Sequence, residues 1–139
     1  AHCNLIPQNI CVTANDDLWI CGFQFAQSTD HPLEQRPEVE PHVCAQWYRA
    51  PELLLGNADC GKNVDMWSAG CILAELKQRR PLFQGRDHLH QLELVLAFTG
   101  TPSDEEMSMV TDPSTAAYVN ERFWQQYRTP MTPAVLQRE

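Results

Sequence analysis

Between Asp65 and Leu76 the chain reads DMWSAGCILAEL, and only Asp65, Ser68 and Glu75 in that stretch are polar. On a helix turning ~100° per residue, those three fall within an arc of about 80°. The rest of the cylinder is apolar apart from Gly70. A helix lying on a domain surface needs an apolar stripe of only ~100°. This one is therefore predicted to lie inside a helical domain, wrapped on most sides. Asp65 follows the turn-rich stretch Gly56–Gly61 and stands where a helix N-cap is wanted. The same carboxylate is placed to tie down a neighbouring loop.

The 139 residues suffice for one domain that buries ~68% of its unfolded surface. A hydrophobic content of 43% suits a soluble globular protein. No apolar run approaches the ~20 residues of a membrane span, and no signal peptide is visible at the start. The net charge of −8, with acidic residues concentrated in Glu34–Glu40 and Asp104–Glu106, argues against a general nucleic-acid-binding surface. Six cysteines stand at 3, 11, 21, 44, 60 and 71 without a C-x-x-C pair. They read as buried, reduced thiols of an intracellular protein rather than as a zinc site. The start at Ala1-His2, with no initiator Met, reads as a fragment.

Two short apolar runs, Ile10-Cys11-Val12 and Leu18-Trp19-Ile20-Cys21, flank the turn formers Thr13 to Asp17 and predict a β-hairpin. Residues 28–42 are polar and carry Pro32, Pro37 and Pro41, the mark of an exposed loop. Trp47, Tyr48 and Leu53–Leu55 are candidate core. The cations of Lys77-Gln78-Arg79-Arg80 suit a helix C-terminus. Leu89, Leu92, Val95 and Leu96 recur at helical spacing and predict an amphipathic helix stopped by Gly100 and Pro102. Ser103 and Glu106 have the Ser-x-x-Glu spacing of a capping box, and Ser114 is a candidate cap for a further short helix through Tyr118. His88 and His90 are two apart and share no helix face, so they are discounted as a metal pair. Phe123, Trp124 and Tyr127, followed by Pro130 and Pro133, read as a frayed end.

Ala50-Pro51-Glu52 followed by Asp65-Met66-Trp67-Ser68-Ala69-Gly70 resembles the end of a protein-kinase activation segment and the helix after it. Trp47-Tyr48-Arg49 and Pro81-Leu82-Phe83-Gln84-Gly85 are similar to MAP kinases and their cyclin-dependent relatives. The resemblance runs from His2 to about Tyr118. It implies a mainly α fold with a small β-hairpin, part of a kinase C-terminal lobe. Residues 1–27 would hold the catalytic loop, hairpin and metal motif, and 28–52 the activation segment. The central helix would be 65–76, with the following helix and the start of the kinase insert in 86–139. The Gly-rich loop, the ATP-orienting lysine and the closing helices of the lobe have no counterpart here.

The functional positions depart from the family. The pattern H-R-D-L-x-x-x-N lies over His2-Cys3-Asn4-Leu5-Ile6-Pro7-Gln8-Asn9. His2, Leu5, Pro7 and Asn9 match. Asn4 stands where the family has the base aspartate, and losing a general base costs ~10²–10⁴ in rate. Ile6 replaces a lysine near the transferred phosphate, and Cys3 replaces the arginine that answers a phosphorylated loop. Gly22-Phe23-Gln24 occupies the place of D-F-G. Phe23 matches, but Gly22 has no side chain to offer magnesium, leaving only the neutral carbonyl of Asn9 as a weak cofactor-binding group. Glu40-Pro41-His42 sits where MAP kinases carry a phosphorylated Thr-x-Tyr pair, with Glu40 a candidate phosphate mimic whose arginine is absent. Ala45 replaces a threonine of the substrate-facing loop. Glu52 pairs in kinases with an arginine further downstream, so it is expected to be unpaired here. Asp65 is expected to accept hydrogen bonds from the backbone near His2.

The resemblance thus implies a MAP-kinase-like chain with no intact catalytic residue and no metal site. No cofactor is expected, although the family would use ATP and Mg²⁺. In MAP kinases a docking pocket for partner peptides lies after the central helix, and the matching positions are His88, Leu89, Leu92 and Tyr118. Protein or peptide partners are expected there, with no nucleic acid and no membrane, in the cytoplasm or nucleus. The alternatives are a divergent serine/threonine kinase that, when full length, transfers phosphate from ATP to proteins, and a truncated product without function.

Overall fold

A computed structural model describes residues 1–30, 46–57, 60–108, 110 and 112–122. Strands β1 (Ile10–Val12) and β2 (Leu18–Ile20) form an antiparallel hairpin in which Cys11 faces Trp19. Helices α1 (Pro51–Leu54), α2 (Lys62–Gln78), α3 (His88–Thr99), α4 (Asp104–Ser108) and α5 (Pro113–Arg122) follow. Short 3₁₀ turns at Pro7–Asn9, Phe23–Phe25 and Gln46–Tyr48 join them. The mainly helical architecture with one small hairpin is the one expected. No helix among the described residues is long and apolar enough to cross a membrane.

Asp65 is not the cap of the central helix. Helix α2 starts at Lys62 with Gly61 as its cap residue. Asp65 falls in the first turn, where the helix's partial positive charge favours a carboxylate. The helix ends at Gln78, with Arg79 in the left-handed conformation at φ 62° and its N–H on the Glu75 carbonyl. Helix α3 ends as expected, with Gly100 at φ 91° donating to the Leu96 carbonyl.

The helix expected to be wrapped on most sides is covered on one. Val64, Ser68, Cys71 and Ile72 are buried, while Met66, Leu73 and Leu76 are 71%, 69% and 66% exposed. The three polar residues face inward instead, each engaged by a neighbouring segment. Asp65 holds the backbone of His2 and Cys3, Ser68 Oγ donates to the Tyr48 carbonyl at 2.8 Å, and Glu75 accepts from the Tyr48 hydroxyl at 2.6 Å. Polarity in this helix therefore marks its attachment side, a reversal of the usual pattern.

The main core joins Leu54 and Leu55, Cys71 and Ile72 of α2, Phe83, the α3 residues Leu92, Val95 and Leu96, and Val119 of α5. Trp67 stacks on Phe83 at 5.8 Å between ring centres, and Phe98 meets Phe83 edge-on at 5.3 Å. A smaller cluster packs Cys3, Ala50, Cys60 and Val64. Tyr48 is buried as expected, but Trp47 is 40% exposed. Its indole Nε1–H donates to the Gly85 carbonyl at 3.0 Å.

Ser103 and Glu106 form the expected capping box: Ser103 N–H and Oγ–H donate to Glu106 Oε2, and Glu106 N–H donates to Ser103 Oγ. These bonds hold the Glu106 carboxyl below its ordinary range. Helix α5 is capped by Asp112 rather than by Ser114. The Asp112 carboxylate accepts from Thr115 Oγ1 at 2.6 Å, Ser114 Oγ at 2.7 Å and Thr115 N at 2.9 Å. Pro113 then occupies the first helical position, which needs no N–H. The helix runs on to Arg122, beyond Tyr118. Its end docks on α3 through Glu93, which accepts from the Tyr118 hydroxyl at 2.6 Å and pairs with Arg122 at 3.5 Å.

Cys3 and Cys60 are joined in a disulfide across 57 residues of sequence, with their Cα atoms 6.1 Å apart. The expectation of uniformly reduced, buried thiols fails for this pair. It also fails for Cys11 and Cys21, which are free but exposed; Cys71 is free and buried. Glu40, Pro41, His42 and Ala45, with Phe123, Trp124, Tyr127, Pro130 and Pro133, lie outside the described residues.

Candidate functional site

The segment 2–9 and the corner 21–23 meet through His2. Asp65 positions it from below: Oδ2 accepts from His2 N at 2.6 Å and Oδ1 from Cys3 N at 2.9 Å. Charge-assisted bonds of this kind are about twice as strong as neutral ones, and they hold Cys3 in the left-handed region at φ 62°. His2 Nε2 lies 2.9 Å from the Cys21 carbonyl, and its ring meets Phe23 edge-on at 4.7 Å. His2, Phe23 and Asp65 therefore form one connected frame. Phe23 itself is 60% exposed.

Asn4 and Asn9 lie within this frame. Asn9 Nδ2 donates to the Asn4 carbonyl at 2.9 Å. Asn4 is buried, and its Oδ1 has no hydrogen-bond partner among the described residues. An amide there has neither the charge nor the basicity to take a proton at neutral pH. Ile6 packs its side chain against the main core and offers no cation.

Gly22 is shaped by its neighbour. Its φ is +83°, a region side-chain-bearing residues rarely adopt. A Cβ built on it would stand 2.5 Å from Asn9 Cγ and Nδ2. The amide of Asn9 thus fills the space into which a side chain at 22 would project. Magnesium takes oxygen ligands and is usually held by one or two carboxylates together with substrate phosphates. Among the described residues no cluster of three or more His, Cys, Asp or Glu side chains is arranged to hold a metal ion.

The four docking-pocket candidates differ in exposure. Leu92 is fully buried in the main core, whereas Leu89 is 42% exposed. His88 opens α3, and Tyr118 is tied to Glu93. A cavity of about 620 Å³ lies between α1 and the end of α3, lined by Glu52, Leu55, Leu96 and Thr99 among others. Another of about 420 Å³ lies beside Pro81, Phe83 and Phe98. Neither is lined by His88, Leu89, Leu92 or Tyr118. His90 turns to the preceding loop, where its Nδ1 accepts from Arg86 N at 3.1 Å.

One knot of residues joins Trp47 and Gly85, from two of the family-like stretches, to Gln91, which no motif singled out. Gln91 is fully buried, and its Oε1 accepts from Gly85 N at 2.8 Å. The Gly85 carbonyl accepts from Trp47 Nε1 and from Gln46 Nε2. A Cβ at Gly85 would stand 2.6 Å from the Gln91 Cα, so only glycine lets the loop lie this close to α3. Gln91 on the buried side of an otherwise apolar helix face was the available signal, since a buried amide must find partners.

Residues 1–122 match the protein kinase domain family. The chain is 42% identical over 118 residues to mitogen-activated protein kinase 5 of Oryza sativa subsp. indica, covering 85% of this chain and 31% of that protein. It is 45% identical over 111 residues to mitogen-activated protein kinase 6 of Arabidopsis thaliana, covering 80% and 27%. Against mitogen-activated protein kinase 3 of Arabidopsis thaliana it is 38% identical over 120 residues, covering 86% and 31%. The chain spans about a third of the length of these relatives. With the family match covering most of the chain and the His2–Asp65–Phe23 frame in place, the chain belongs to the protein kinase family, as a segment similar to MAP kinases.

Proposed function

We propose that this chain is a catalytically inactive, MAP-kinase-like segment that works by binding other proteins. The observation that carries the reading is the Gly22–Asn9 contact. The place of the metal-binding carboxylate holds a glycine at φ +83° whose missing side chain is replaced by the Asn9 amide. Asn4, in the place of the base, supports it with a buried neutral amide. Phosphoryl transfer depends on positioning and on neutralising phosphate charge, and both demands fall on these residues. The expected partner is a peptide with apolar side chains, meeting the exposed Leu89 at the start of α3.

A thermal-shift titration with ATP, with and without Mg²⁺, tests the first part. A ligand at 100 times its dissociation constant adds about 2.7 kcal/mol of stability. No shift is expected in either condition, and a magnesium-dependent shift would overturn the reading. For the second part, Leu89→Asp is the informative variant because the buried Leu92 would unfold the core instead. Loss of binding to apolar peptides with an unchanged melting temperature is expected.

The alternative is a divergent active kinase. Its support is the intact frame, in which Asp65 still anchors the His2 and Cys3 backbone and His2 still meets Phe23. Phosphorylation of a protein substrate that Asn9→Ala abolishes would favour it.

A further inference from the structure

Cys11 sits in β1 and Cys21 directly follows β2, and both are exposed free thiols. Their Sγ atoms lie 4.0 Å apart. The pairing places them diagonally across the ladder, since Cys11 faces Trp19 while Cys21 N donates to the Asn9 carbonyl. The two sulfurs must close by about 2 Å to reach a bond of ~2.05 Å. Each strand has only three residues and the hairpin's side chains are largely exposed, so little packing resists that approach.

We propose that Cys11 and Cys21 form a reversible dithiol–disulfide site, oxidised by hydrogen peroxide. The Cys11 thiolate attacks the peroxide, the O–O bond breaks, and hydroxide leaves as Cys11 becomes a sulfenic acid. The Cys21 sulfur then attacks the Cys11 sulfur. The S–S bond forms as the S–O bond breaks, and the departing hydroxide takes the Cys21 proton. Two thiols and one peroxide give one disulfide and two waters.

The bond would fix the strand that delivers Gly22 and Phe23. The Cys21 carbonyl is the group that meets His2 Nε2, so linking Cys21 to β1 pins the corner on which His2 and Phe23 pack. The site is independent of whether the chain transfers phosphate.

The test uses the full 139-residue chain carrying Cys44→Ser, leaving Cys11, Cys21 and the buried Cys71 as free thiols. After graded hydrogen peroxide, free thiols are blocked with N-ethylmaleimide and peptides are mapped by mass spectrometry. Cys11 and Cys21 are expected to lose maleimide labelling together, with the mass of two hydrogens missing from one monomeric species. Dithiothreitol should restore the labelling. In Cys21→Ser, where no thiol resolves the sulfenic acid, Cys11 should go on to sulfinic acid instead. Independent overoxidation of the two cysteines in the parent, links between separate molecules, or retained labelling of both at exposures that oxidise Cys11 in Cys21→Ser would each overturn the proposal.

Discussion

At Gly22 two conditions coincide: a backbone angle of +83° and an Asn9 side chain 2.5 Å from where a Cβ would stand. Putting a carboxylate back is therefore not a local repair. Gly22→Asp is expected to cost ~1–3 kcal/mol through strain and crowding, read as a lower urea midpoint, without creating magnesium-dependent ATP binding. A variant as stable as the parent would show that Asn9 moves aside freely. Cys71 shows how strongly a single position depends on its surroundings. Burial, with help from the Glu75 charge, pushes its thiol up to about 12. A folded-state pKa above the unfolded one favours the folded state only while the group keeps its proton. That contribution is fully present below the ordinary 9.0 and is lost as the pH rises towards about 12. Denaturant midpoints should therefore fall across that alkaline range, and less steeply in Cys71→Ala. Asn4, Gly22 and Asp65 could be placed from sequence because each stands at a fixed offset within a motif. The Gly85–Gln91 knot could not, because its members approach only when a loop folds back on α3.

Among the elements, α5 begins one residue before Ser114 and ends four residues beyond Tyr118, the bounds expected from sequence. Asp112, Ser114 and Thr115 are all credible caps by residue type, and the choice depends on which side chain reaches back to the helix N–H groups. Bonds from the Thr115 hydroxyl first, then the Ser114 hydroxyl and the Thr115 N–H, hold the Asp112 carboxyl well below its ordinary 3.8. A lowered folded-state pKa contributes stability that is present above the unfolded value and lost as the pH falls through the folded one. Helix α5 should thus keep its cap at pH 3.8 and fray only in stronger acid, as read by amide exchange of Thr115 and its neighbours. In Asp112→Ala the fraying should be present already at neutral pH. Helix α2 carries a different lesson. Its apolar composition was legible, but a hydrophobic pattern states what wants covering and not which face the neighbours take. Here Tyr48, His2 and Cys3 take the polar face, and Met66, Leu73 and Leu76 are left in contact with water.

For the whole molecule, the longest-range covalent constraint is the Cys3–Cys60 disulfide, which ties the segment after His2 to the approach of α2. Closing a loop of this length restricts the unfolded chain, and reduction is expected to lower stability by ~2–4 kcal/mol. Urea midpoints with and without dithiothreitol measure this, and Cys60→Ser should behave as the reduced protein does; equal midpoints would mean the link constrains nothing. The kinase family, the hairpin, the stop of α3 at Gly100 and the Ser103–Glu106 box were all determined by sequence. Each is local, depending on residue types at short, fixed separations where backbone geometry leaves few choices. The tertiary structure alone decided the partnering of Cys3 with Cys60, the burial of Leu92 beside an exposed Leu89, and the outward face of α2. Those features depend on which surfaces meet across tens of residues, and packing and hydrogen-bond satisfaction between distant segments select them after the local elements have formed.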